Sequence, residues 1–471
     1  MTASLAHRFT AVNDTHSALN PTLVAGIVQP RSIVDIRNAL RTTADAGQPV
    51  SICGARHAMG AQQFGTGALL IDTSRLDRVV AFDATRGLIE VEAGMRWPAL
   101  HDWLRDAQGP AVPAWTFRQK QTGADALSIG GCLSANVHGR GLDLPPFVSE
   151  VDSFTLVDAR GELRRCSRSE NAELFRLAIG GYGLFGVIAT VTLRLVLRRK
   201  LRRIVEILDV EALMAAFDAR IAAGFAYGDF QFATDPASGR FLRRGVFSCY
   251  EPVSDATPTP AGQRELSAAD WKRLVTLAHT DKAAAFEHYS HYYLATSGQV
   301  YWSDTHQMSV YLDDYHREID RTLGHRGSEV ITEIYVPRAR VADFMTETAA
   351  DLRRERVDVI YGTVRLIRRD DETFLPWARE DFACVIFNLH VRHDPAGQAH
   401  AADAFRRLID LAIARGGSYY LTYHRHATRA QVEACHPRFR EFLALKLRHD
   451  PAERFQSDWY RHHRDDFVKR A

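Results

Sequence analysis

Gly181-Tyr182-Gly183-Leu184-Phe185-Gly186 spells G-x-G-x-x-G, and what flanks it decides the fold. A dinucleotide fingerprint needs a strand before the glycines and a helix after them, so that the helix N-terminus meets a pyrophosphate. Here the order is reversed. Ser167 with Glu170 reads as the cap of a helix through Leu174, Phe175 and Leu177, and that helix runs into the glycines. Beyond them Val187, Ala189, Val191, Leu193 and Leu195 alternate with other residues, which is the period of a strand. The flanks argue against nicotinamide-dinucleotide binding here, and the glycines still need a reason.

Two more glycine-rich stretches lie upstream. Gly54-Ala55-Arg56-His57-Ala58-Met59-Gly60 follows a predicted strand, 50–53. Ser128-Ile129-Gly130-Gly131 leads through Ser134 and Asn136 to His138-Gly139, after the 119–122 segment, and reads as a second turn. Backbone without Cβ can approach a flat or anionic ligand closely and offer N–H groups to it. One such turn is weak evidence, since most are only turns. Three in this order are specific.

The chain around them is that of an ordinary globular protein: 471 residues, 46% hydrophobic, 25% charged, formal net charge +2. Interspersed charge leaves no nucleic-acid footprint. No apolar run reaches the ~20 residues of a membrane span, and the N-terminus lacks the pattern of a secretion signal. Six scattered cysteines (Cys53, Cys132, Cys166, Cys249, Cys384 and Cys435) form no Cys-x-x-Cys. They argue against zinc and disulfides, and no metal is expected; a cytoplasmic location is.

Short strands and amphipathic helices alternate over the first third, an α+β texture. Ser32 and Asp35 resemble a capping box, with Ile33, Ile36 and Leu40 on one helix face. Near residue 200 the texture changes. Residues 289–293 and 301–306 read as aromatic clusters without helical period, and 254–263 as an exposed loop. Two strand–helix–strand stretches follow: 329–336, 341–354 and 359–365, then 383–391, 399–414 and 418–423. They predict a large antiparallel sheet with helices on one face. Domains are expected at 1–200 and 201–430, with a C-terminal segment, 431–471.

On its three glycine stretches the sequence resembles the vanillyl-alcohol oxidase / p-cresol methylhydroxylase (PCMH-type) flavoproteins. The nearest likeness is to alditol and aldonolactone oxidases and decaprenylphosphoryl-ribose oxidase-like members. Residues 450–457 resemble the family's C-terminal return to the flavin. The resemblance implies a PCMH-type FAD-binding domain of two α+β subdomains and a substrate domain whose antiparallel sheet is covered by helices. FAD would be held by Gly54, Ala55, Arg56, His57, Ala58 and Gly60, by Gly130, Gly131, Ser134, Asn136, His138 and Gly139, and by Gly183, Gly186 and Val187. In relatives the histidine at the place of His57 often carries the flavin covalently; Ala58 stands where a serine is common. Cys132 reads as a core thiol.

The implied activity is hydride transfer from a CH–OH group of a sugar-like small molecule to flavin N5. Oxygen or another acceptor would then reoxidise the flavin. The expected catalytic residues are Thr363 and Arg365, His390, and Tyr423 and Arg425. Thr363 replaces the carboxylate, and Tyr423 or Arg425 the lysine, that the sugar oxidases carry. An amine substrate, as in cytokinin dehydrogenases, and a flavin-binding redox partner without turnover remain alternatives. A bland reading pairs Arg365 with Asp370, Asp371 or Glu372.

Overall fold

The computed structural model describes residues 9–109, 114–309, 312 and 315–467. Residues 1–8, 110–113, 310, 311, 313, 314 and 468–471, the last four from the expected C-terminal segment, lie outside them.

A small parallel sheet comes first, in the order Gly26–Val28, Leu69–Asp72, Val50–Cys53. The helix Ile33–Asp45 crosses between its outer strands, capped by Ser32, whose Oγ accepts the Asp35 N–H as the sequence suggests. Phe455 adds to the sheet's far edge beside Val50. A second, antiparallel sheet orders Leu163–Ser167, Val151–Val157, Val187–Arg194, Leu88–Glu92 and Val79–Asp83. A third has eight strands, all antiparallel to their neighbours: Val300–Trp302, Lys200–Asp209, Arg244–Val253, Tyr227–Phe232, Val359–Ile367, Phe382–Arg392, Gly327–Pro337 and Ser418–Tyr419. The α+β class holds.

Strand pleat gives the large sheet two unlike faces. Phe230, Val364, Val385, Leu389, Val330 and Ile334 share the apolar face. It packs on the helices Val341–Arg354 and Pro395–Ile413. The register places Gln231, Thr363, Ile386 and Glu333 in one row of the other face, and Arg365, Cys384 and Tyr335 in the next. That second face is buried as well, yet it is rich in polar and charged groups. Such groups persist in a core only when something there uses them.

Several local expectations need correction. Helices cover both faces, since Ala268–Thr280 and Lys282–Ala295 lie on the polar one, where His279 reaches Glu329 and Lys282 reaches the Val359 carbonyl. Residues 289–293 are therefore helical. Phe286, Tyr289 and Tyr293 recur at i, i+3 and i+7, a helical stripe hidden among flanking tyrosines and histidines.

The last strand stops at Tyr419 rather than 423. Gln62 Nε2 donates to the Leu421 and Thr422 carbonyls (2.8 and 2.9 Å), which turns that backbone away from the sheet. Gly130 and Gly131 belong to a short helix, Ile129–Ala135, because Ser128 Oγ caps it at the Gly131 N–H. Ser167 closes a turn onto Glu170 and does not cap the next helix, Ala172–Ala178; Asn171, at φ +46°, precedes it.

Candidate flavin site

The loop after Val50–Cys53 is held from both sides. Arg56 pairs with Asp72 at 2.8 Å, Thr73 Oγ1 donates to the Cys53 carbonyl, and the Thr15 N–H reaches the Arg56 carbonyl. Gly54 lies so close to the second loop that a Cβ there would stand 2.1 Å from Ser128 Oγ. The third loop docks on the helix that follows, with the Gly180 and Tyr182 N–H groups donating to the Leu133 and Ser134 carbonyls. Three loops far apart in sequence are thus bonded into one wall.

The wall bounds an open cleft. Gly54, Ala55, Arg56, His57 and Ala58 line it, as do Gly130, Gly131, Ser134, Gly183 and Gly186. Gly183, at φ +76°, has only Ile52 within 4 Å of its absent Cβ, so its bare backbone faces open space. The opposite wall comes from the large sheet and the loop after it: Ile331, Tyr420, Thr422 and Tyr423.

Lining residues also offer buried polar atoms without a partner among the described residues: Gln63 Oε1, Gln121 Oε1 and Thr122 Oγ1. A ligand with a flat apolar ring, an anionic linker and hydrogen-bonding edges would meet these surfaces. FAD fits that description.

His57 is half-buried in the cleft; burial first, then the neighbouring His16 ring, pushes its pKa down to about 4. Cys132 also lines the cleft, but burial pushes its thiol up to about 12 and Trp97 Nε1 donates to its sulfur at 3.3 Å. It stays a thiol.

The other expected cofactor residues stand behind the wall. Gly60 donates its N–H to Gln62. Asn136 bridges Asp370 and the Val148 N–H, and Gly139 packs against the Lys120 backbone. Val187 opens a strand. His138 is fully buried: Nδ1–H donates to the Gly139 carbonyl at 2.9 Å, and Nε2 meets the Glu333 carboxylate.

Glu333 gathers a network. It accepts from Tyr335 at 2.9 Å, Tyr423 at 3.1 Å and Cys384 at 2.8 Å. Burial alone would raise its pKa, yet His138 and these donors outweigh that and hold it down near 2. Tyr423 is therefore the one expected catalytic residue in the cleft wall, fixed there from behind by a carboxylate.

Thr363 and Arg365 share Glu333's sheet face but lie deeper. Thr363 Oγ1 and Arg365 Nε and Nη1 are buried without partners among the described residues. Arg365 makes no ion pair with the acids suggested for it: Asp370 holds Asn136 and Thr373, Asp371 pairs with Arg369, and Glu372 with Arg168. Arg425 points to the Asp458 carbonyl, and His390 belongs to a separate cluster around Glu329. Sequence reasoning passed over His16, Tyr420 and Glu333. None left a signal: Glu333 is one of two carboxylates in a strand that also carries Ser328 and Thr332.

Comparison with known proteins agrees with this geometry. Residues 24–167 match the model of a family described as FAD binding domain. The chain thus carries an FAD-binding domain of this type, and FAD is its cofactor.

Among relatives, the uncharacterized oxidoreductase ORF5 in the fasciation locus of Rhodococcoides fascians is 34% identical over 170 residues, 36% of this chain and 37% of that one. L-gulonolactone oxidase of Bos taurus is 30% identical over 169 residues, 36% of each chain. L-gulono-1,4-lactone dehydrogenase of Mycobacterium tuberculosis is 22% identical over 448 residues, 93% of this chain and 95% of that one. The match to the first two spans little more than a third of their length. No helix among the described residues is long and apolar enough to cross a membrane.

Proposed function

We propose that this protein is an FAD-dependent oxidoreductase that removes a hydride from a CH–OH group of a sugar-like small molecule, an aldonolactone or polyol. The observation that carries the reading is the cleft itself, where three glycine-bearing segments face the polar side of the large sheet across one space. The lactone-oxidising names of the relatives support it. The bound flavin supplies a two-electron acceptor, and oxygen or another acceptor restores it.

The chain's own residues orient and deprotonate. Tyr423 donates to Glu333, which leaves its oxygen's lone pairs to accept a substrate hydroxyl beside the reacting one. With its pKa near 2, Glu333 stays a carboxylate and acts as an anchor for Tyr423, too weak a base to take the proton. His16 lines the cleft, burial keeps it neutral, and its Nε2 has no partner among the described residues; it is the group to receive that proton. Arg365 offers unpaired N–H donors behind Tyr423 for a substrate oxygen.

His57, neutral above pH 4, supplies a nucleophilic nitrogen for covalent attachment of the cofactor. Six free, buried cysteines accord with a reducing cytoplasm.

Anaerobic addition of aldonolactones, alditols and amines to the flavoprotein tests this reading. Bleaching of the visible flavin band by the first two and not by amines supports it. Bleaching by amines alone, or by dithionite alone, contradicts it. Acid precipitation reports attachment: colour in the wild-type pellet and in the supernatant for His57→Ala is expected.

A further inference from the structure

A second cavity lies under the helices Ala268–Thr280 and Lys282–Ala295 on the polar face of the large sheet. Trp271, Phe286, Tyr289 and Tyr361 line it, with Glu329 and His279 in its wall. Glu329 is two residues before Ile331 of the flavin cleft, on the same strand and the same face.

Glu329 is the centre of a histidine cluster. His279 Nε2 is 2.7 Å and His390 Nδ1 3.2 Å from the same oxygen, Oε1. Their side chains are 0% and 5% exposed, and that of Glu329 2%. Tyr315 donates to Oε2, and His316 Nδ1 stands 3.3 Å from it.

Hydrogen-bond accounting fixes the tautomers. His279 Nδ1 is 2.8 Å from the Val275 carbonyl, which only accepts, so Nδ1 donates there and the ring presents Nε2 to Glu329. His325 Nδ1 likewise donates to the Leu323 carbonyl, which leaves its Nε2 to accept from His390 Nε2–H at 3.0 Å. His390 thus presents Nδ1 to Glu329. Two imidazole nitrogens and a carboxylate oxygen converge on one point, all within 4.8 Å of one another. A divalent cation there can replace the protons that hold the rings to the carboxylate. Ligand atoms ~2.0–2.2 Å from a zinc-like ion lie about 3.3–3.6 Å apart; His390 Nδ1 already stands 3.2 Å from Oε1, and His279 Nε2, at 2.7 Å, would part from it by under roughly 1 Å. Each histidine's outer N–H is already held by a carbonyl or a second ring, as metal-bound histidines are.

We propose that His279, Glu329 and His390 form a binding site for one divalent first-row transition metal, with a coordination position open to the second cavity. Two nitrogens and one oxygen suit zinc or its neighbours over magnesium or calcium. The open position takes water or a hydroxylated ligand, for which the buried, unpartnered Asn388 Oδ1 in the cavity wall is an acceptor. The three ligands, from distant parts of the chain, carry no sequence spacing that would announce them, which is why cysteine arithmetic pointed to no metal.

Calorimetric titration of chelator-treated full-length protein with zinc chloride tests the site. Saturation at one zinc per chain is expected. Affinity should fall by at least about 100-fold in His279→Gln and Glu329→Gln, and about 10–100-fold in His325→Ala, an outer-shell change. Zinc should raise the melting temperature of the wild type and not that of Glu329→Gln. Absence of zinc binding by the wild type overturns the proposal, and so does undiminished affinity in His279→Gln or His325→Ala. If the two ligand variants fail to fold, the wild-type titration and His325→Ala still decide.

Discussion

Tyr423 and Glu333 are worth the most attention among single residues, because one touches the cleft and the other sets how it does so. Removing the Tyr423 hydroxyl should lower kcat/KM about 10–100-fold, the worth of one hydrogen bond to a charged group (about 1.5–3 kcal/mol). Flavin content should not change; a matching loss of flavin in Tyr423→Phe would mean the residue only shapes the cleft. Glu333 also gives a stability signature. Its folded pKa lies near 2 against 4.5 unfolded, so its contribution is complete above about 4.5 and is lost as pH falls toward 2. Glu333→Gln should flatten the acid limb of a melting-temperature profile; an unchanged limb would place the effect elsewhere. The glycines lining the cleft were legible in the sequence because special backbone leaves a mark in residue type, and His57 came with its loop. Glu333, Glu329 and His16 were not, because a buried charge is made tolerable by partners hundreds of residues away.

Elements divide the same way. The strands 329–336, 359–365 and 383–391 and the helices on the apolar face could be read to within a few residues, since each carries its own periodicity; Lys200–Asp209, Tyr227–Phe232, Arg244–Val253 and Val300–Trp302 went unnamed. The loop bearing Tyr423 could not, because its course depends on Gln62 taking two carbonyls from across the cleft. Nor could the helix Lys282–Ala295, whose inward stripe is aromatic on a background of more aromatics. Glycines of the third segment separate two roles within one element. A Cβ at Gly186 would stand 2.0 Å from Leu156 Cδ1 and 2.7 Å from the Val157 carbonyl, at φ +151°. Gly186→Ala should therefore destabilise the fold by roughly 2 kcal/mol or more, read as a lower melting temperature. Gly183→Ala meets no atom closer than 3.7 Å, so it should cost only about 1 kcal/mol of strain while weakening flavin retention. Equal thermal losses in the two would contradict the assignment of Gly183 to the ligand.

At the scale of the molecule, the C-terminal segment ties the flavin side together. Val50 exchanges backbone bonds with Arg454 and Gln456 (2.7 and 2.8 Å), which braces the strand that carries Gly54. The turn before them is set by Asp450, which accepts the Arg454 and Phe455 N–H groups and pairs with Lys446, whose side chain is 0% exposed. Asp450→Ala leaves that ammonium buried and unpaired, so about 3–5 kcal/mol of stability should go, measured by denaturant unfolding. A loss under 1 kcal/mol would show the pair to be dispensable.

The central claim is that three separated segments and the polar face of one sheet enclose a single FAD. Quantifying the nucleotide in the purified wild-type protein, after proteolysis to release any covalent fraction, tests it most directly. One FAD per chain is expected, falling in Gly183→Ala. A colourless protein that takes up no added FAD would contradict it.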